Sequence, residues 1–123
     1  MILPHGSKVY IAGPMRGHAL FNFQKFFYWA EVLEQSGYEV LNPAAFDVDR
    51  MMKDGWQFDE DNYEEVLEFD LRVIEEGADA IFMLKGWGQS EGAGREYLKA
   101  SELGLAIFDE PPRDNITIVL EIP

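Results

Sequence analysis

The chain has no cysteine. That excludes disulfides, thiolate metal sites and a cysteine nucleophile together. Its two histidines, His5 and His18, are too few and too far apart for a zinc cluster. No apolar run approaches the roughly 18 residues that a membrane span requires. The opening segment MILPHGSKVYIAGPM lacks a basic stretch followed by a long apolar one. Neither a membrane partner nor a secretory signal is therefore expected, and the expected location is the cytoplasm. Basic residues are scarce: 10 Lys and Arg stand against 23 Asp and Glu, a formal charge of −13. Phosphate backbones are recognised through a basic face, so no nucleic acid is an expected partner. Repeats, low-complexity tracts and Ser/Pro-rich linkers are absent too, which leaves residues 1–123 as one expected domain. Any demanding chemistry falls to carboxylates, hydroxyls or a cofactor.

What the chain does have is apolar bulk. Hydrophobic residues make up 47% and aromatic ones 14% of the 123 positions, enough for a folded core and too much for disorder. The acidity is concentrated in FDEDNYEEVLEFD and VIEEGAD. Solvated helix faces account for it, and a surface that mimics DNA is the sharper alternative.

KVYIAG is a short apolar run closed by Gly-Pro, which suits a buried strand and a turn. NFQKFFYWAEVLEQSG follows as a helix, with Asn22 as N-cap, Phe23, Phe26, Phe27, Ala30 and Leu33 at helical spacing, and Gly37 as the stop. YEVLNP reads as a second strand. AAFDVDRMMKDGWQF shows no clear periodicity and reads as an irregular or partly helical segment of the kind that forms lids. A helix from about Glu60 to Glu76, a strand ADAIFML, a loop KGWGQS, a helix from Glu91 to Leu103 and a strand GLAIF complete the alternation, with ITIVLEI as a candidate fifth strand. Strands alternating with helices imply crossovers and a parallel sheet. The expected fold is therefore α/β: a small doubly wound, flavodoxin/Rossmann-like parallel sheet of four to five strands with helices on both faces. In such folds ligands bind outside the carboxyl ends of the strands, which selects GPMRG after the first strand and KGWGQSEG after the third.

Two acids stand out against this pattern. At about 100° per residue, Tyr63, Val66, Leu67, Val73 and Ile74 fall within roughly 70° of Asp70, and Gly92, Ala93, Ala100 and Leu103 within roughly 60° of Glu96. Both carboxylates lie on core-facing stripes, which is costly unless they are paired or face a pocket. Pairing with Arg16, Arg72 or Arg95 is the plain alternative. Among other candidates, Trp87 between two glycines could stack on a base or simply pack. Asp47, Asp49 and Trp56 could read a base without any means of ranking them. His18 could reach a phosphate or stay solvated, and Asp79 opens a strand and reads as structural.

VYIAGPMRG, DLRVIEEGADAIFML and SEGAGREYLKASELGLAIF together resemble the nucleoside 2-deoxyribosyltransferase superfamily. Within it, the chain is most similar to the 2'-deoxynucleoside 5'-phosphate N-hydrolases. The resemblance covers about Lys8 to Phe108. It implies hydrolysis or transfer at the N-glycosidic bond of a nucleoside or nucleoside 5'-monophosphate, with no metal or other cofactor. Glu96 matches the family's catalytic carboxylate, Asp70 the acid that contacts the sugar and assists the departing base, and Tyr10 the tyrosine that holds the catalytic Glu. Gly13, Met15, Arg16 and Gly17, with Ser90 and Gly92, match the loops that hold the 5' end of the nucleotide, and Trp87 lies beside them. The resemblance also implies a homodimer or higher homo-oligomer, as does the aromatic α-helical stretch FQKFFYWAEVL, with Phe27, Tyr28 and Trp29 on more than one side. Where the family carries small residues after the catalytic Glu, this chain has EYLKA, so a noncatalytic nucleotide-binding module of the same fold stands as the second reading and an acidic interaction protein as the third.

Overall fold

The computed structural model describes residues 3–16, 18–55, 57 and 61–111. Uninterrupted apolar runs become the two central strands. In β1 (Lys8–Ala12) every residue but the first is buried, and in β3 (Ala80–Met83) all are, as expected for strands covered on both faces. β2 (Glu39–Leu41) and β4 (Ala106–Asp109) flank them in the order β2-β1-β3-β4, with every pairing parallel.

Alternation along the strands divides the core in two. Val9, Ile11, Phe82 and Leu84 pack on one face against Phe26, Trp29 and Leu33 of α1 (Phe23–Gln35), with the Trp29 and Phe82 ring centroids 5.1 Å apart. Tyr10, Ala12, Ile81 and Met83 point to the other face, against Ile74 of α3 (Tyr63–Gly77) and Ala100 of α4 (Glu91–Leu103). The molecule is thus a small doubly wound α/β sandwich. Among the described residues, no helix is long and apolar enough to cross a membrane.

Two local expectations need correction, and a third is sharpened. The segment read as irregular or partly helical is a regular helix, α2, over Pro43–Asp54. The Asn42 side chain accepts a hydrogen bond from the Ala44 amide at 3.0 Å, Pro43 occupies the first turn, and Gly55, at φ 65°, ends the helix. Its buried positions are Pro43, Ala44 and Asp47, so one of the three that should mark an apolar stripe is an acid. Asn22 does not cap α1 with its side chain. It takes a left-handed conformation, φ 63°, and its amide donates to the Pro14 carbonyl at 2.9 Å, tying the turn after β1 to the helix. Leu103, placed beside Glu96 on the apolar stripe, is 43% exposed at the helix end. Asp79 is structural as expected, accepting from the Lys8 amide at 2.8 Å. Gly17, Trp56 and the candidate strand at 116–122 lie outside the described residues.

Candidate functional site

β1 and β3 are neighbours, but the chain leaves β1 toward β2 on one side and β3 toward β4 on the other. Their carboxyl ends therefore open onto the switch-point crevice of the fold. The loops leaving the two strands approach closely because residue 13 has no side chain: a Cβ on Gly13 would lie 2.7 Å from the Cβ of Leu84. A cleft of about 480 Å³ opens there. Gly13, Met15, Arg16, Ser90 and Gly92 line its mouth, and Asp70 and Glu96 line its interior.

Tyr10 rises from the centre of β1 with no exposed surface, and its hydroxyl donates to Oε2 of Glu96 on α4. Glu96 is 6% exposed and Asp70 7%, and among the described residues no arginine lies within ion-pair distance of either. Arg95 instead reaches Glu64, with Nη1 3.2 Å from both carboxylate oxygens. Asp70 Oδ1 is buried without a hydrogen-bond partner. Burial, and next the charge of Asp47, push the Asp70 carboxyl up to about 7, against the pull of Arg50 and the Tyr10 hydroxyl. Burial, and next the charge of Asp70, hold Glu96 well above the usual carboxylate range, while the hydrogen bond from Tyr10 opposes them. Burial, followed by the charges of Asp70 and Glu96, likewise raises Tyr10 well above its ordinary value. The phenol therefore keeps its proton and acts as a fixed donor. Two acids that cannot both ionise cheaply in one dry pocket share protons, and that is the arrangement from which acid and base roles arise.

Asp47 is the third acid of the cluster. It sits on α2 with no exposed surface, Oδ1 3.2 Å from Nη1 of Arg50 and Oδ2 without a partner. Burial raises its carboxyl to about 6, with Arg50 opposing. Sequence reasoning placed Asp47 among several possible base readers. The structure sets it outside the lining of the cleft, close enough for its charge to act on Asp70, Glu96 and Tyr10.

At the mouth, the Ser90 hydroxyl caps α4 by accepting from the Ala93 amide at 3.2 Å, and Glu91, Gly92 and Ala93 of that first turn line the cleft. Arg16 extends over the Tyr63 ring with its Cζ 3.9 Å from the centroid. His18 also lines the cleft. Among the described residues, no cluster of His, Asp and Glu has the arrangement of a metal site.

Residues 7–109 match the family model described as a domain of unknown function, DUF4406. The chain belongs to that family. No curated protein matches the chain.

Most of the residues singled out in the sequence therefore converge on one cleft. Trp87 lies outside it, as Asp47 does. Its ring stacks on Tyr97, with centroids 4.7 Å apart and planes 20° from parallel, outside the cleft lining. The bulky EYLKA segment is turned away as well: Tyr97 packs on Trp87, Leu98 is 58% exposed, and Lys99 lies 3.7 Å from Glu75. None of these three side chains fills the pocket. Tyr63 was weighed only as a neighbour of Asp70 on the helical stripe. Its signal was the spacing to Asp70, two helical turns along the same face.

Proposed function

We propose that this protein cleaves the N-glycosidic bond of a nucleoside 5'-monophosphate or nucleoside in the cytoplasm, as a hydrolase or as a base-exchanging transferase. The observation that carries the reading is the Tyr10–Glu96 hydrogen bond beside Asp70 at the inner end of the switch-point cleft. Breaking the bond sends its electron pair to the base nitrogen and leaves positive charge on the sugar at C1'. Asp70 holds a proton near neutral pH and delivers it to the departing base. The hydrogen bond from Tyr10 favours the ionised form of Glu96, against burial and the charge of Asp70, and an ionised Glu96 is placed to stabilise the oxocarbenium-like state or bond to C1'. Water or a second base then takes the sugar. The 5' phosphate sits at the mouth, against the first-turn amides of α4 and the Arg16 guanidinium, a local field that overrides a net charge of −13. Phe27 and Tyr28, 42% and 49% exposed on α1, supply an apolar face for the homodimer or larger homo-oligomer in which we place the chain.

The raised pKa of Glu96 favours a second reading. A Glu96 that stays protonated with bound ligand makes the site a nucleotide-binding module without turnover. Incubation with the common nucleoside monophosphates, with chromatography for free base, separates the two. Released base supports the enzyme, and tight binding without product supports the module.

A further inference from the structure

We infer that the Tyr63 hydroxyl is a direct ligand contact, donating to the phosphate of a bound nucleotide at the first turn of α4, in space that Gly92 leaves open for it. The inference rests on the nucleotide reading above and adds a specificity-determining residue to it.

Tyr63 opens α3 and lines the cleft, and one helical turn along Leu67 lines it as well. Opposite them stands Gly92, in the first turn of α4. A Cβ on Gly92 would lie 2.9 Å from the Tyr63 hydroxyl, 3.8 Å from the ring carbon that bears it and 3.9 Å from Cδ1 of Leu67. The last two are ordinary van der Waals contacts, so the hydroxyl alone depends on the missing side chain. No left-handed backbone requires glycine at this position. Space is what it supplies, and the hydroxyl is what occupies the space. Arg95 of α4 ties the start of α3 to this place, with Nη1 3.2 Å from both carboxylate oxygens of Glu64.

Nothing in the fold uses that hydroxyl. Among the described residues it makes no hydrogen bond, although Tyr63 is half-buried. Burial, and next the charge of Glu91, raise the phenol above its ordinary value, with Arg16 opposing, so it keeps its proton and stands as a donor. Beside it, the Ala93 amide is taken by the Ser90 hydroxyl and the Gly94 amide by the Ser90 carbonyl, while the Glu91 and Gly92 amides bond to no protein group among the described residues. Deeper in the same cleft, Asp70 Oδ1 is buried without a partner. Unused polar groups thus occur at both ends of one cavity, which is the pattern of a site completed by its ligand. At the mouth the unused groups are donors, so the ligand group that fits there is an anion, and a phenol O–H given to a phosphate oxygen is charge-assisted. Gly92, which the resemblance assigned to the ligand's 5' end, acts there by making room for Tyr63.

The test compares the affinities of the four common 2'-deoxynucleoside 5'-monophosphates with those of the matching nucleosides by calorimetry, with circular-dichroism melts as the folding control. Wild type should favour the monophosphate. Tyr63→Phe removes the hydroxyl and keeps the ring, and should weaken monophosphate binding by about tenfold while nucleoside binding holds. Gly92→Ala puts a methyl group against the hydroxyl and should show the same selective loss. The double variant should lose no more than Tyr63→Phe alone, because both changes act on one contact. If either single variant fails to fold, the other decides the matter. Unchanged monophosphate affinity, equal losses for both ligands, or losses that add in the double variant overturn the Tyr63 contact while leaving the nucleotide reading intact. A wild type that binds neither ligand overturns both.

Discussion

Tyr10 and Glu96 lie 86 positions apart in the chain and meet in the core, hydroxyl to carboxylate. One comes from the middle of the central strand and the other from the buried face of α4, so the pair joins sheet and helix at the inner end of the cleft. A carboxylate held there against desolvation is expensive, and a single neutral donor does not offset that cost. Glu96→Gln keeps the shape and can still accept from Tyr10. Base release should fall by about 10²–10⁴ while nucleotide binding survives, as single-turnover chromatography and calorimetry on the same preparation will show. Unchanged turnover would remove Glu96 from the mechanism and most of the enzyme reading with it.

Asp47 acts at one remove, and its effect is on pH dependence. Its charge is among the causes that raise Asp70 to about 7. Turnover that needs a protonated Asp70 declines as pH climbs through that value. Asp47→Asn deletes the like charge, so Asp70 loses its proton more readily. The alkaline limb of the kcat profile should then move to lower pH, by about half a unit or more. An alkaline limb that stays in place would separate Asp47 from the proton economy of the site.

Arg16→Ala tests the mouth of the cleft. Loss of a charge-assisted hydrogen bond should weaken binding of a nucleoside monophosphate by about 1.5–3 kcal/mol and leave the unphosphorylated nucleoside nearly unaffected. Titration of both ligands into both proteins measures this. Equal losses would mean that the stack on Tyr63 serves the fold and not the ligand.

The fold was legible because its central strands carry short apolar runs, VYIA and AIFM, and because α3 and α4 keep their 3.6-residue period. Asp70 and Glu96 were found by the same period, as charges breaking an apolar stripe. Helix α2 gives no such signal, for a related reason. Helix α2 buries few residues, and one of them is Asp47, so hydropathy shows no stripe. Asn22 misled because an asparagine before a helix can cap or turn, and here its side chain serves Pro14 in the preceding loop. Trp87 could not be assigned from its glycine neighbours, since its partner Tyr97 lies ten positions on, in the next helix. The Arg16 Cζ over the Tyr63 ring ties the loop after β1 to α3, and the Tyr63 hydroxyl lies 2.9 Å from where a Cβ on Gly92 of α4 would stand. No spacing within one segment reports such a contact.

Asp70 gives the sharpest separation between a site acid and a structural one. Its carboxyl is raised from 3.8 to about 7 chiefly by burial, and Oδ1 has no hydrogen-bond partner. Between those two values the folded protein binds a proton that the unfolded chain has released. This contribution to stability is therefore complete below pH 3.8 and is lost as pH rises toward about 7. At pH 8 the folded state carries an ionised, partly compensated carboxylate beside Asp47, and Asn in its place relieves that burden. Asp70→Asn should raise the melting temperature at pH 8, a gain on the order of 1–2 kcal/mol, and the gain should disappear near pH 4. Turnover should fall at least about tenfold at every pH, because the amide has no acid proton to give the base. A structural acid would behave in the opposite way, losing about 3 kcal/mol or more on substitution while each folded molecule kept its activity. Thermal melts at both pH values, with base release measured on the same samples, distinguish the two. A destabilised but fully active variant would take Asp70 out of the site.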